Sequence, residues 1–253
     1  MPFVIALARL TALEGLRARL PWLVMLVALA AFLLSQFLAE VSIIEASQIS
    51  ATVLAALLRI AAVFITANFV ITSMTREAND KFTDLLLSQP VPRWAYFCGK
   101  LAGFLFIACC TGVALSLPLW LLQQQGLPAW TASLLGELAI VTALSLFCTL
   151  TFAGPVAAIS AVTGFYVLAR SIQALQYIAA ASVANQPSLA DQIMAGAVNL
   201  IALLLPALDR MTASAWLITP PDIAHLLSLA LEVLVYLVLL SAASLFDLYR
   251  KSY

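Results

Sequence analysis

Few side chains in this sequence are able to carry chemistry. There is one histidine, His225, and there are four cysteines, Cys98, Cys109, Cys110 and Cys148. The histidine has no second ligand at metal-binding spacing. The cysteines fall in or at the edge of apolar runs, where they read as small buried hydrophobes rather than a metal or redox site. No Gly-x-Ser-x-Gly, no His-Glu-x-x-His and no pair of aspartates within an apolar run is present, so intramembrane enzymatic chemistry has no converging groups. Gly99-Lys100 lacks the upstream glycine and the following Ser or Thr of a phosphate loop. What remains is charge in apolar surroundings: Arg59, Glu137, Arg170 and Glu232. Each costs roughly 2.5–3.5 kcal/mol at a bilayer centre if unpaired, so such residues pair or line a pathway. Arg59 is expected to pair with Glu137 or Glu232, either as a substrate-pathway or outer-gate site or as a structural staple between helices. Arg170, nearer the middle of its run, is expected to line a central pathway or to reach a carbonyl freed near a helix break.

These charges must be positioned by apolar elements. Of 253 residues, 64% are hydrophobic and 9% charged, whereas a soluble domain carries roughly 25% charged residues. So few charges cannot cover a water-facing surface, but in lipid apolar side chains face outward freely. The runs are continuously apolar rather than alternating, which excludes a membrane barrel. The expected class is an all-α integral membrane protein, a single transmembrane domain without repeats or a soluble module. Six spans are predicted, at about 21–39, 52–74, 96–122, 132–152, 156–183 and 223–246, with a break at Gly154-Pro155. Residues 1–20 read as an N-terminal amphipathic helix in the membrane interface, with Arg9, Arg17 and Arg19 beside Ile5, Leu7, Ala8, Ala12, Leu16 and Leu20. The alternative is an ordinary flank of the first span. No cleavable signal is expected.

Charge position sets the orientation. With six spans, Arg9, Arg17, Arg19, Arg76, Lys81, Arg93, Lys100, Arg250 and Lys251 lie on one side. Only Arg59, Arg170 and Arg210 lie elsewhere. The positive-inside bias then places both termini in the cytoplasm and Arg59, Glu137 and Glu232 in the outer third of their spans. A seventh span within 190–218 would move Arg250 and Lys251 outside. That segment, interrupted by Pro206, is therefore expected to form short re-entrant helices in the outer leaflet. The formal net charge is zero, which leaves no basic field for nucleic acid.

The most specific stretch is the polar loop 76–93 and its run into the third span, from Arg76-Glu77-Ala78-Asn79-Asp80 to Gly99-Lys100. Asn79 or Asp80 can cap a short helix, Phe82, Leu85 and Leu86 share one face, and Pro90 and Pro92 stop it. Such a helix is too short to stand alone, and its apolar face meets either the bilayer surface or a groove in a cytosolic partner.

The stretch resembles the loop between the second and third spans of ABC-2 type transporter permeases. The matching residues are Glu77, Leu85-Leu86, Ser88, Pro90, Val91, Arg93, Tyr96 and Gly99-Lys100. The basic N-terminal helix, six spans, Leu204-Leu205-Pro206 before the last span and a short basic tail fit the same pattern. One departure is Asp80-Lys81-Phe82, where many members carry Gly-Thr. The resemblance implies that the loop is a coupling helix docking on a separate ABC ATPase. Phe82, Leu85 and Leu86 would form the docking face, and Glu77 and Arg93 rim contacts. It also implies a homodimer served by two ATPase copies and surrounded by membrane lipids. The chain itself would hold no cofactor, ATP and Mg being bound by the partner. The implied setting is a bacterial inner membrane, with export the implied direction. An ion-coupled carrier remains the alternative that the in-span charges permit.

Overall fold

A computed structural model describes residues 2–41, 46–80, 92–121, 126–152, 154–185, 189–206, 208–211, 214–217 and 221–250. The described residues form helices and no strand. In chain order these are α1 (Pro2–Arg17), α2 (Leu20–Val41), α3 (Ala46–Asn79), α4 (Arg93–Leu121), α5 (Leu127–Thr151), α6 (Pro155–Asn185), α7 (Leu189–Leu204) and α8 (Ile223–Arg250). A single helical turn, Leu208–Met211, and a 3-10 turn, Ser214–Leu217, lie between α7 and α8. Helices α2, α3, α4, α5, α6 and α8 are long and apolar enough to cross a membrane, so the chain is a multi-pass membrane protein. The 16 residues of α7 rise only about 24 Å, short of the roughly 30 Å hydrocarbon core.

Local chemistry explains the boundaries. Pro128 in the first turn of α5 and Pro155 opening α6 remove N–H groups that a helix start leaves unpaired. Phe152 turns to extended backbone and its N–H caps α5 by donating to Cys148 O at 2.9 Å, so the Gly154-Pro155 break falls where it was expected. α3 is longer than its predicted span of 52–74, because no breaker stands between Ala46 and Asn79 and polar ends remain helical outside the hydrocarbon. Arg76 and Glu77, assigned to the loop, are its last turns. Residues 81–91, including Phe82, Leu85 and Leu86, lie outside the described residues. Hydroxyls within the spans fold back on their own helices: Thr75 donates to Ile71 O (2.7 Å), Thr142 to Leu138 O (2.7 Å) and Ser244 to Leu240 O (2.7 Å). These hydroxyls are thereby satisfied without water.

α5 is the central helix, with 67% of its span residues buried, against 17% for α2 and 6% for α8. The outer helices present Trp22, Met25, Leu26, Leu231, Leu234 and Val238 outward, a surface suited to lipid or another apolar chain. Of the cysteines only Cys148 is buried, and Cys109 is exposed on α4. A small apolar side chain facing lipid costs nothing, which is why burial did not follow from its apolar neighbours.

α1 packs along α4. Leu7, Thr11 and Gly15 face α4 at Gly99, Gly103 and Ile107, residue for residue in steps of four. Ile5, Leu10, Leu13 and Leu16 point away. The approach depends on two α4 glycines. A Cβ on Gly103 would lie 2.7 Å from Thr11 Cβ and 2.9 Å from Ala8 O, and one on Gly99 would lie 3.2 Å from Val4 O. This is a small-xxx-small contact. Gly103→Leu is expected to lift α1 off α4 and to cost about 1–3 kcal/mol. The check is a lowered melting point of the detergent-solubilised chain with faster proteolysis near residue 18, at unchanged span content by circular dichroism.

The helix ends sort into two levels. At one end, Arg93 Nη1 donates to Leu248 O (2.6 Å), Thr151 Oγ1 donates to Asp247 Oδ2 (2.6 Å) and Ser73 Oγ donates to Glu14 Oε1 (3.2 Å). α1, the end of α3, the start of α4 and the ends of α5 and α8 therefore meet there. At the other end Gly126 N–H donates to Leu217 O (3.2 Å), and a Cβ on Gly126 would fall 1.6 Å from Trp216 O. The 3-10 turn is thus seated on the start of α5, with Trp216 buried and edge-on to His225 at 5.7 Å.

Candidate functional site

The in-span charges converge on α5. Arg59, on the first half of α3, is 1% exposed and donates through Nη1 to Glu137 Oε2 at 2.8 Å, and Glu137 is fully buried. Arg59 Nη2 donates to Ser133 Oγ (3.0 Å), Nη1 also reaches Met211 O (3.3 Å), and the guanidinium lies 5.0 Å from the centroid of Trp130. The other carboxylate oxygen, Glu137 Oε1, accepts from the Tyr166 hydroxyl at 2.8 Å, and Tyr166 accepts from Arg170 Nη1 at 2.8 Å. One line of polar groups therefore crosses α3, α5 and α6 and ties in the turn after α7.

Of the two carboxylates open to Arg59, Glu137 takes it; Glu232 is half-buried on α8. Arg170 reaches a phenol one turn back rather than a backbone carbonyl. Helix geometry dictates this local pair, since residues 166 and 170 stack at i, i+4. Each Glu137 oxygen accepts one donor, which holds the fully buried carboxylate in place. The arrangement braces helices and presents a cation, Arg170, at its half-buried end.

A second buried pair sits at the opposite level. Lys100, 1% exposed in the second turn of α4, donates to Glu77 Oε1 at the end of α3. Glu77, which the resemblance places at the rim of a docking surface, has a buried side chain paired inward. Arg93, assigned to the same rim, grips the carbonyls that end α8, at 2.6 Å from Leu248 O and 3.4 Å from Tyr249 O. Both flanks of segment 81–91 are thus bolted to the bundle.

A separate groove of about 1010 Å³ runs between α1, α2 and α4, lined chiefly by Leu16, Trp22, Met25, Leu29, Ile107 and Leu117. Its walls are almost wholly apolar, with the hydroxyl of buried Thr111 among them. No group of three or more metal-ligating side chains occurs among the described residues.

Sequence reading missed Tyr166, Ser133, Trp130 and the Lys100 pairing. Tyr166 carried a usable signal, a hydroxyl at i−4 from an in-span arginine. Gly99-x-x-x-Gly103 also carried one, as a small-residue groove. No family model matches this chain, and no curated protein matches it.

Proposed function

We propose that this chain is the membrane-spanning permease subunit of an ATP-driven ABC-2 type transporter. It would export a substrate across a bacterial inner membrane as a homodimer, energised by a separate cytosolic ATPase. The observation that carries the reading is the 76–100 segment. Its sequence resembles the family's coupling loop, with the departure at Asp80-Lys81-Phe82, and its two flanks are fixed to the bundle by Glu77–Lys100 and by Arg93 on the end of α8. A loop mounted this way would pass a push on residues 81–91 into α3, α4 and α8 together. Six apolar helices, with the basic residues Arg9, Arg76, Arg93 and Arg250 at one level, support a cytoplasmic loop and cytoplasmic termini. A short α7 followed by two turns supports a re-entrant 190–218 segment on the opposite face. The ion-coupled carrier reading is weaker, because Glu137 is fully buried and already holds Arg59 and Tyr166.

The test is co-purification. Tagged chain extracted from its native membranes is expected to bring down an ABC ATPase. Phe82→Asp or Leu86→Asp is expected to abolish that association while the chain persists in the membrane at wild-type level. Purification alone, with function that needs no ATP, sinks the proposal.

A further inference from the structure

We propose that Arg170, with Tyr166, forms a binding site for an oxyanion, a phosphate or carboxylate group carried by the transported molecule. The inference deepens the transporter reading and rests on it. Arg170 is the sixteenth residue of the 31-residue α6, about 22 Å along the axis from either end. At roughly 46 Å the helix overshoots the roughly 30 Å hydrocarbon core, so its ends are not the interfaces, and the depth of Arg170 is set by its link through Tyr166 to the buried Glu137. A cation at that depth is tolerated when paired or when it faces a polar cavity.

The described protein supplies Arg170 with little. Its one hydrogen bond goes to a neutral phenol, Tyr166, at 2.8 Å. The carboxylate beyond that phenol, Glu137, is committed to Arg59 at 2.8 Å. The network Arg59, Glu137, Tyr166, Arg170 therefore holds two positive charges and one negative. Among the described residues no second carboxylate is bonded to it. A guanidinium has five N–H donors in a flat fork, and among the described residues one is used. Arg170 is half-buried, at the edge of the buried stripe Val162, Tyr166, Ala169 and Ile172 and beside exposed Val167 and Leu168. Its unused donors can thus reach something outside the packed core. What the described residues leave unsupplied is one negative charge with acceptor oxygens in a plane, which is the chemistry of an oxyanion. Tyr166 fixes the fork from behind, so the site is preorganised for a two-pronged contact.

The test uses the full chain in neutral detergent, with three probes read by thermal unfolding: inorganic phosphate, octanoate and dihexanoyl-phosphatidylglycerol. A saturable stabilisation by at least one probe is expected, with Arg170→Gln weakening the apparent Kd roughly tenfold or more, as fits a charged hydrogen bond. A response to phosphate shows that the free oxyanion suffices. A response confined to the lipid or to octanoate assigns the site to an anion attached to an acyl chain. Arg170→Lys keeps the charge and loses the fork, so a several-fold weakening is expected, and this variant decides the matter if Arg170→Gln does not fold. No saturable response to any probe, or the same Kd in the variants as in wild type, overturns the site. The two readings fail separately. ATPase association with no Arg170-dependent response removes the anion site alone, and an Arg170-dependent response without an ATPase partner removes the ABC reading alone.

Discussion

Glu137→Leu is expected to destabilise the chain by about 3–5 kcal/mol, because it strands Arg59 without a counter-charge where that side chain is 1% exposed. Arg59 cannot move to water, since it is enclosed by Ser133, Met211 O and the Trp130 ring. Arg59→Leu should cost a similar amount from the other side, leaving a fully buried carboxylate. The double variant Arg59→Leu/Glu137→Leu is expected to recover most of the loss, since removing both charges also removes their desolvation cost. Recovery will be incomplete by about 1–3 kcal/mol, because Tyr166 then loses its acceptor. Thermal or denaturant unfolding of the purified chain measures each variant. The same series separates a staple from a gate. On the transporter reading, if the apolar double variant folds and transports, the pair only braces helices. If it folds and transport stops, the charges act in the pathway. The exchange Arg59→Glu/Glu137→Arg should outperform either single reversal, and equal failure of all three would show that orientation within the network, not charge pairing, holds the site.

The apolar runs located six crossing helices because twenty or so lipid-compatible residues in a row have few other destinations. They did not locate helix ends, because a helix keeps its hydrogen bonds after leaving the hydrocarbon; Arg76 and Glu77 are polar and still belong to α3. Charge cost made Arg59 and Glu137 legible as a problem needing a solution, and similar depth made Glu137 and Glu232 equal candidates. Only lateral packing chooses between them, since α3 and α5 lie face to face and that choice has no one-dimensional signature. Tyr166 escaped notice for a related reason: a tyrosine in an apolar run is unremarkable until an acceptor is found beside it. The contact of α1 with α4 went unread because hydrophobicity marks Ile5 and Leu16, which are exposed, while close contact runs through Leu7, Thr11 and Gly15. Where two helices touch closely, small residues win the interface and large apolar ones are left to lipid.

Lys100→Met should have an effect nearly as large, on the order of 3 kcal/mol, and a different functional signature. Methionine fills the volume of the lysine stem, so packing against Phe104, 5.8 Å from Nζ, is largely kept. What is lost is the only described cation bonded to Glu77, a buried carboxylate whose Oε2 already lacks a hydrogen-bond partner. Glu14, bonded to Ser73 on the same helix, adds a second negative charge nearby. Two carboxylates then repel each other at the junction of α1, α3 and α4, and the helix ends beside segment 81–91 are expected to splay. Glu77→Gln/Lys100→Met should restore most of the stability, because a neutral amide does not demand a counter-ion. On the transporter reading, Lys100→Met should keep the ATPase bound through Phe82 and Leu86 while ATP hydrolysis no longer drives transport, because the push is absorbed by a loosened flank. The decisive comparison measures unfolding, ATPase association and ATP-driven transport on the same three proteins. Restored stability in the double variant with transport still uncoupled would make the Glu77–Lys100 pair a transmission element, and restored transport would make it a fastening that any satisfied pair can replace.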